Sequence, residues 1–434
     1  MKQIGQFKQT LLTKSRWLQP GLGIKRWLIL LGLGAILVGL GWVYLVLVIR
    51  RTRFMPEPVY DVITMQFMPP WARILISLSV GGILVLWSIT KIGLNLIAPF
   101  RGGEDEVVDS LYEYTMRNRG PHIVAIGGGT GLPTLLRGLT RHTRNITAIV
   151  TVADDGGSSG RLRRDLGVLP PGDFRNNMAA LARDEALMTQ VLQYRFGGGM
   201  GTNGSGELQG HAFGNLLLAA LTGITGSFDQ ALLAAERVLA LRGRVLPSTL
   251  ENVTLMADVA VGGVLVERVV GESEIPKVHG RIQHVFLEPP NAAAYPSAVR
   301  AIFDADLIVI GPGSLYTSIL PNLLVPDLAQ ALCRTTAPKV YVCNLAAQPG
   351  ETDNYTVADH VQAILEHTSA HCLDIVLAND NLSVPPDRGG GNTIYVQPMV
   401  PAGVKMVTAD LVNEEKPWKH DSQKLATAVM ALLK

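Results

Sequence analysis

The stretch that most limits the folds open to this chain is Ile126-Gly127-Gly128-Gly129-Thr130-Gly131-Leu132, which joins a short apolar strand at 122–126 to a predicted helix at 132–141. Glycines let the backbone turn sharply and let its N–H groups approach a ligand with no Cβ in the way. The helix start adds a partial positive charge that suits a phosphate. Leu132 stands where a strict GxGxxG would place its last glycine, and no lysine follows in Walker A position, so P-loop cleavage of ATP is not expected. A tight turn that serves only packing is the bland reading of the same residues. The alternation goes on downstream. Residues 145–152, 305–310, 339–344 and 374–377 read as strands, and 173–194, 214–221, 229–241, 315–332 and 357–366 as helices. Such βα order implies a parallel sheet covered on both faces. Short β-type stretches interrupt it at 244–288, a predicted small β-rich insertion, and the glycine-rich stretch 197–206 predicts a mobile loop.

Two apolar runs precede residue 101. The first, 27–49, holds 23 residues without a charge between Lys25-Arg26 and Arg50-Arg51. At ~1.5 Å per residue it reaches about 34 Å, enough for a ~30 Å hydrocarbon core. Trp27, Trp42 and Tyr44 lie towards its ends, where amphipathic rings favour the interface. The second, 74–90, has 17 residues between Arg73 and Lys91 and extends to Ile97 if Lys91 snorkels. Together they predict a two-helix transmembrane hairpin over 27–97. A cleaved signal peptide fits poorly, because the first run is too long, lacks a small-residue cleavage site and is followed by another. The tail 1–26 carries Lys2, Lys8, Lys14, Arg16, Lys25 and Arg26 with no acidic residue, which predicts a cytoplasmic tail. Two crossings then return residues 101–434 to the cytoplasm, although Arg50, Arg51 and Arg53 in the loop oppose that orientation. The runs explain why 47% of the residues are hydrophobic and only 17% charged. A net charge of +2 with no lysine-rich stripe argues against a nucleic-acid partner. Cys333, Cys343 and Cys372 form no CxxC pair, which predicts buried thiols in a reducing compartment and no structural zinc.

Five further segments carry candidate chemistry. In 151–162, Asp154 and Asp155 sit at the carboxyl end of the second strand, where an acid often contacts ribose. The pair could instead share a divalent metal, most plausibly Mg2+ beside a phosphate, or form an Asx-type turn. Their side chains diverge on an extended backbone, so one should face the site and one support it. Arg161 is a candidate anion contact, while Arg163 and Arg164 read as a solvated basic face. In Pro170-Pro171-Gly172-Asp173-Phe174-Arg175-Asn176, Asp173 is a good N-cap, and Arg175 and Asn176 project from the first turn towards a phosphate or sugar. In 210–216, His211 and Asn215 stand at a helix entrance; His211 could contact a phosphate, act as acid or base, or cap the helix.

A second cradle follows at Gly311-Pro312-Gly313-Ser314, with hydroxyls at Ser314, Thr317 and Ser318, Tyr316 to stack or pack, and Asn322 as a polar contact. Two such turns in one sheet suggest a diphosphate between them. Past the next strand, Asn344, Gln348 and Glu351 suit hydroxyl recognition, or mark a plain turn. His367 and His371 are spaced i, i+4 but lack the HExxH glutamate, so no metal is expected there.

These segments, in this order, resemble the gluconeogenesis-factor (YvcK-like) family: GGGTGL, VTVADDGGSSGRLR, PPGDFRN, GHAFGNL, ADLIVIGPGSLYTSILPNLLV and QPGET. The resemblance covers roughly residues 121–432. The wider superfamily holds the CofD-like 2-phospho-L-lactate transferases, which share the glycine loop and the Asp-Asp pair but read differently at GGSSGRLRRDLG and PPGDFRN. The resemblance implies an α/β, Rossmann-like domain at 121–434 that binds a UDP-sugar such as UDP-N-acetylglucosamine. It further implies a role in cell shape and cell-wall precursor balance on gluconeogenic carbon. No established reaction comes with it, and familiar members are soluble, so the hairpin and the linker 98–120 are a departure. A homo-oligomer at the cytoplasmic membrane is expected. The alternative is a CofD-type phosphotransferase with Mg2+ on Asp154 and Asp155 at a diphosphate leaving group.

Overall fold

In the computed structural model, the described residues are 120–433 apart from 198–207, 263–264 and 384–393, together with 56–97 apart from residue 64 and scattered positions between 32 and 51. The chain divides into two units, Met1–Met116 and Arg117–Lys434.

In the first unit, helices Glu57–Ile63 and Pro70–Ile97 are described. Among the described residues one helix is long and apolar enough to cross a membrane, through its Pro70–Trp87 window of mean hydropathy 1.6. Its Trp71, Ile83 and Leu86 are exposed. The hairpin expected over 27–97 is therefore not established: the basic tail and most of the first run lie outside the described residues, which leaves a single candidate span. The linker lies outside them too, as does nearly all of the glycine-rich loop.

The second unit contains ten strands among its described residues: β1 (Ile123–Gly127), β2 (Ile146–Val150), β3 (Arg244–Pro247), β4 (Thr254–Val261), β5 (Leu265–Val270), β6 (Arg281–Glu288), β7 (Leu307–Ile310), β8 (Lys339–Val342), β9 (Ile375–Asn379) and β10 (Lys405–Ala409). Seven form one sheet in the order β10-β9-β8-β7-β1-β2-β3, with every neighbouring pair parallel. Every residue of β1, β7 and β8 is buried, so the side chains of both faces are covered; that is why these strands read as unbroken apolar runs. The edge strand β10 is only half covered. The remaining three strands form an antiparallel sheet, β5-β4-β6. The insertion is thus smaller than expected, because Arg244–Pro247 pairs with β2 and belongs to the main sheet.

Three predicted elements change. Residues 173–194 are two helices, Gly172–Leu181 and Glu185–Gln193, because Ala182 turns extended and Asp184 caps the second by accepting from Leu187 N. The expected helix 315–332 is three pieces, Leu315–Ile319, Leu320–Leu323 and Pro326–Arg334, each of the last two beginning at or just before a proline. The stretch after Asp155, to which the sequence pattern assigns no element, is a helix, Gly157–Leu166, ended by Gly167 at φ +68°. The cysteine expectation holds only for Cys343, a buried free thiol; Cys333 and Cys372 are disulfide-bonded with Cα atoms 4.5 Å apart. A sequence separation of 39 residues hides that meeting of a helix end with a distant turn.

All six candidate segments lie in the second unit. A chain beginning at Glu104 is expected to fold and to stay in solution without detergent, as checked by gel filtration and circular dichroism. Aggregation of that chain would mean that the second unit does not fold on its own.

Candidate functional site

The chain leaves β1 towards β2 and β3, passes through the insertion, and returns to β7 on the other side of β1. Strand order reverses between β1 and β7, and the crevice beyond the carboxyl ends at such a switch point is where open α/β sheets bind ligands.

Both glycine turns end there, and they touch. A Cβ placed on Gly131 would lie 2.5 Å from the Pro312 carbonyl oxygen, and one on Gly313 would lie 3.4 Å from that of Gly128. Gly129 and Gly311 have φ of +63° and +81°, where a side chain would be strained. Asn322 ties the pair together: its Nδ2 donates to the Gly127 carbonyl at 3.1 Å and to that of Ser318 at 2.9 Å. It is fully buried, so this candidate contact is a clamp on the turns. Tyr316 is equally enclosed, its hydroxyl 2.8 Å from that of Tyr355, and is packed rather than free to stack on a base.

The segment after β8 interlocks with the second turn. Gln348 Nε2 donates to Ser314 Oγ at 2.8 Å, and Asn344 Nδ2 to the Gly313 carbonyl at 2.8 Å. Thr317 Oγ1 donates to Glu351 Oε1 at 3.1 Å. Burial pushes the Glu351 carboxyl up to about 7, and its Oε2 is buried without a partner.

The two aspartates part as expected. Asp154 Oδ1 accepts from Gly156 N at 2.9 Å in an Asx turn and borders a cleft of 210 Å³ with Arg175, Asn176 and Asn215. Asp155 Oδ1 accepts from Ser273 N at 2.9 Å and so anchors the insertion. Asp173, read as a helix cap, instead accepts from Gly129 N at 2.7 Å through Oδ2 and braces the first turn. Burial and the nearby Asp154 raise its carboxyl to about 7, against the opposing pull of Gly129 and Arg175. Burial also raises Asp154. Glu272, which sequence reasoning missed, is pushed to about 8 by burial and by Asp154, Asp173, Asp155 and Glu351. It hangs from the turn after β5, and nothing local marks it. Burial first, and then neighbouring carboxyls, thus hold down the charge of Asp154, Asp173 and Glu272 around the crevice.

His211 meets the Gly157–Leu166 helix. Arg161 Nε donates to His211 Nε2 at 3.3 Å, and His211 Nδ1 lies 3.1 Å from Ser158 Oγ. Burial, then Arg161, lowers its pKa, which keeps the imidazole neutral near pH 7. Arg163 is not on a solvated face: its Nη2 donates to the Val253 carbonyl, whereas Arg164 is exposed. Thr130 faces a different cleft of 410 Å³, shared with Asn176 and closed by Asn413, Lys416 and Lys419, residues outside the six segments.

Fold and site together define a doubly wound α/β protein whose two glycine turns meet at its switch point. The 2-phospho-L-lactate transferase CofD family matches residues 123–428, and the chain belongs to that family, in its gluconeogenesis-factor (YvcK-like) branch. The gluconeogenesis factor of Bacillus subtilis is 44% identical over 322 residues, 72% of this chain and 98% of that protein. A relative from Nostoc sp. is 44% identical over 440 residues, 96% of this chain and 91% of its own length. The crystal structure of a UPF0052 family member from Bacillus halodurans superposes with a TM-score of 0.66 at 42% identity, over 72% of this chain and 99% of that one.

Proposed function

We propose that the protein binds a nucleotide sugar, a UDP-sugar such as UDP-N-acetylglucosamine, and acts at the cytoplasmic membrane as a regulator of cell-wall precursor balance and cell shape. The observation that carries this reading is the contact between the two glycine turns at the switch point, Gly131 against Pro312, which sets the backbone N–H groups of the two turns side by side. Asn344, Gln348 and Ser314 form a polar rim beside it. The exposed apolar face of Pro70–Ile97 supports the membrane attachment.

The second reading is transfer of a phosphoryl-linked group in the manner of the CofD transferases, favoured by the carboxyl cluster. Among the described residues no three His, Cys, Asp or Glu stand close enough to hold a metal by themselves. Asp154, Asp155 and Asp173 each have one oxygen engaged by a backbone N–H. Such a donor set fits Mg2+, which keeps several waters and binds through one or two carboxylates plus phosphate oxygens. Asp154 would hold it, and the ion would neutralise charge on a diphosphate leaving group.

Asp154→Asn separates the two. As a regulator, the variant should lose about 1–3 kcal/mol of nucleotide-sugar affinity, the worth of a hydrogen bond to a charged group, with or without Mg2+. As a transferase, it should lose the Mg2+ dependence of binding. Calorimetry with UDP-N-acetylglucosamine in the presence and absence of Mg2+ reads both. Unchanged affinity with an unchanged metal response would reduce Asp154 to its turn.

A further inference from the structure

The 210 Å³ cleft is lined by the carboxyls of Asp154 and Asp173, whose charge burial holds down, and otherwise largely by donors suited to an anion. It is floored by the start of the ten-residue helix Gly157–Leu166, whose N-cap is Gly156 and which no side chain caps. The N–H groups of the first turn of a helix have no intrahelical acceptor, and the helix dipole places partial positive charge there.

One side chain points to a missing anion. Arg175 is 8% exposed; its Nη2 donates to Asn176 Oδ1 at 3.0 Å, and its buried Nε, a donor, has no partner. Buried polar atoms are paired in the great majority of cases, so this orphan donor calls for an acceptor. Asn215 is 1% exposed and its Nδ2 donates to Ser158 Oγ at 3.0 Å, while its unpaired Oδ1 is an acceptor and gives an anion nothing. Ser158 adds a donor. Because His211 Nε2 accepts from Arg161, its proton sits on Nδ1 and is given to Ser158 Oγ, which also accepts from Asn215. The hydroxyl hydrogen of Ser158 is then free to donate into the cleft. Arg195, contributed by the segment after helix Glu185–Gln193, lines the same cleft and lies close enough to Arg175 for their like charges to repel. An anion between them would turn that repulsion into attraction on both sides.

We propose that this cleft receives a phosphoryl group of the ligand, which lies between Arg175 and Arg195 and accepts from Ser158 and the first turn of Gly157–Leu166. The cleft opens beside the first glycine turn, since Asp173 both lines it and bonds Gly129. One phosphoryl of a diphosphate can therefore rest on the turns and the other at the helix start. This assignment deepens the nucleotide-sugar reading by naming where its charge is held.

The test uses the full-length protein in detergent micelles, with calorimetry against inorganic pyrophosphate, uridine and UDP-N-acetylglucosamine. Arg195 is exposed, so Arg195→Met leaves folding intact, which the melting temperature without ligand checks. Pyrophosphate affinity should fall at least ten-fold in Arg195→Met and become undetectable in Arg175→Met, while any response to uridine stays as in the unaltered protein. Pyrophosphate affinity unchanged in Arg195→Met, or no saturable pyrophosphate binding at all, would overturn the assignment. If UDP-N-acetylglucosamine fails to bind while pyrophosphate binding still depends on Arg195, the nucleotide-sugar reading falls and the subsite stands. If the nucleotide sugar binds equally well to all three proteins, the subsite falls alone.

Discussion

Gly131→Ala should abolish nucleotide-sugar binding and lower stability by about 1–3 kcal/mol, the usual cost of forcing extra volume into a packed site. The reason is close approach rather than backbone strain, because Gly131 has φ −77° and ψ −51°, open to any residue. Its Cβ would stand 2.5 Å from the Pro312 carbonyl oxygen, 2.8 Å from the Pro312 carbonyl carbon and 3.0 Å from Gly313 N. Those are backbone atoms, which cannot rotate away as a side chain can. The two turns must separate, and the shared cradle opens. Gly313→Ala is the control: its nearest neighbour would be 3.4 Å away, an ordinary contact, so the fold should persist. Urea unfolding and calorimetry on both variants check the pair. Gly131→Ala binding like the unaltered protein would show that the turns need not touch for the ligand to be held.

Asp173→Asn should stabilise the protein, and by an amount that grows with pH. The Asp173 carboxyl moves from an ordinary 3.8 to about 7 on folding. Between those values the folded state holds a proton that the unfolded chain has released, so stability present below pH 3.8 is lost as pH rises through about 7. Asparagine stays neutral throughout and keeps an oxygen for Gly129 N. A ten-fold difference in proton affinity between the two states is worth about 1.4 kcal/mol. The advantage of the variant should therefore be near zero in acid and reach up to about 4 kcal/mol by about pH 8. Urea midpoints from about pH 5 to pH 8 in a chelator, which removes any Mg2+ from the neighbouring Asp154, would measure it. A difference that does not change with pH would mean that the Asp173 carboxyl titrates as it does in water. Because the residue also braces the first glycine turn, the same variant asks whether the turn needs a charge or only an acceptor.

Much of this was legible in the residues. Short unbroken apolar stretches bounded by turn residues, such as Leu307–Ile310, read as strands covered on both faces, and glycine runs after two of them mark turns at the carboxyl edge. The divergence of Asp154 and Asp155 followed from the two-residue period of extended chain. Where the reading failed, a local signal was overruled or absent. Gly156-Gly157-Ser158-Ser159-Gly160 has poor helix propensity, yet Gly157–Leu166 is helical, with Arg163 tied to Val253 of the insertion and Ser158 to Asn215. For Asn322 and Tyr316, whose chemistry suits either a ligand contact or packing, the sequence left the choice open, and both are buried and bonded within the interior.

Short-range patterns of burial and turn chemistry thus suffice for the class of fold, the strand ends that bear the candidate segments, and the family. Which polar residues face one another depends instead on how the strands assemble. The touching of Gly131 and Pro312, the carboxyl cluster completed by Glu272, the meeting of Arg175 with Arg195, and the bond between Cys333 and Cys372 all join segments far apart in the chain. Their spacing along the chain carries no record of that proximity, since the order of strands in the sheet sets it.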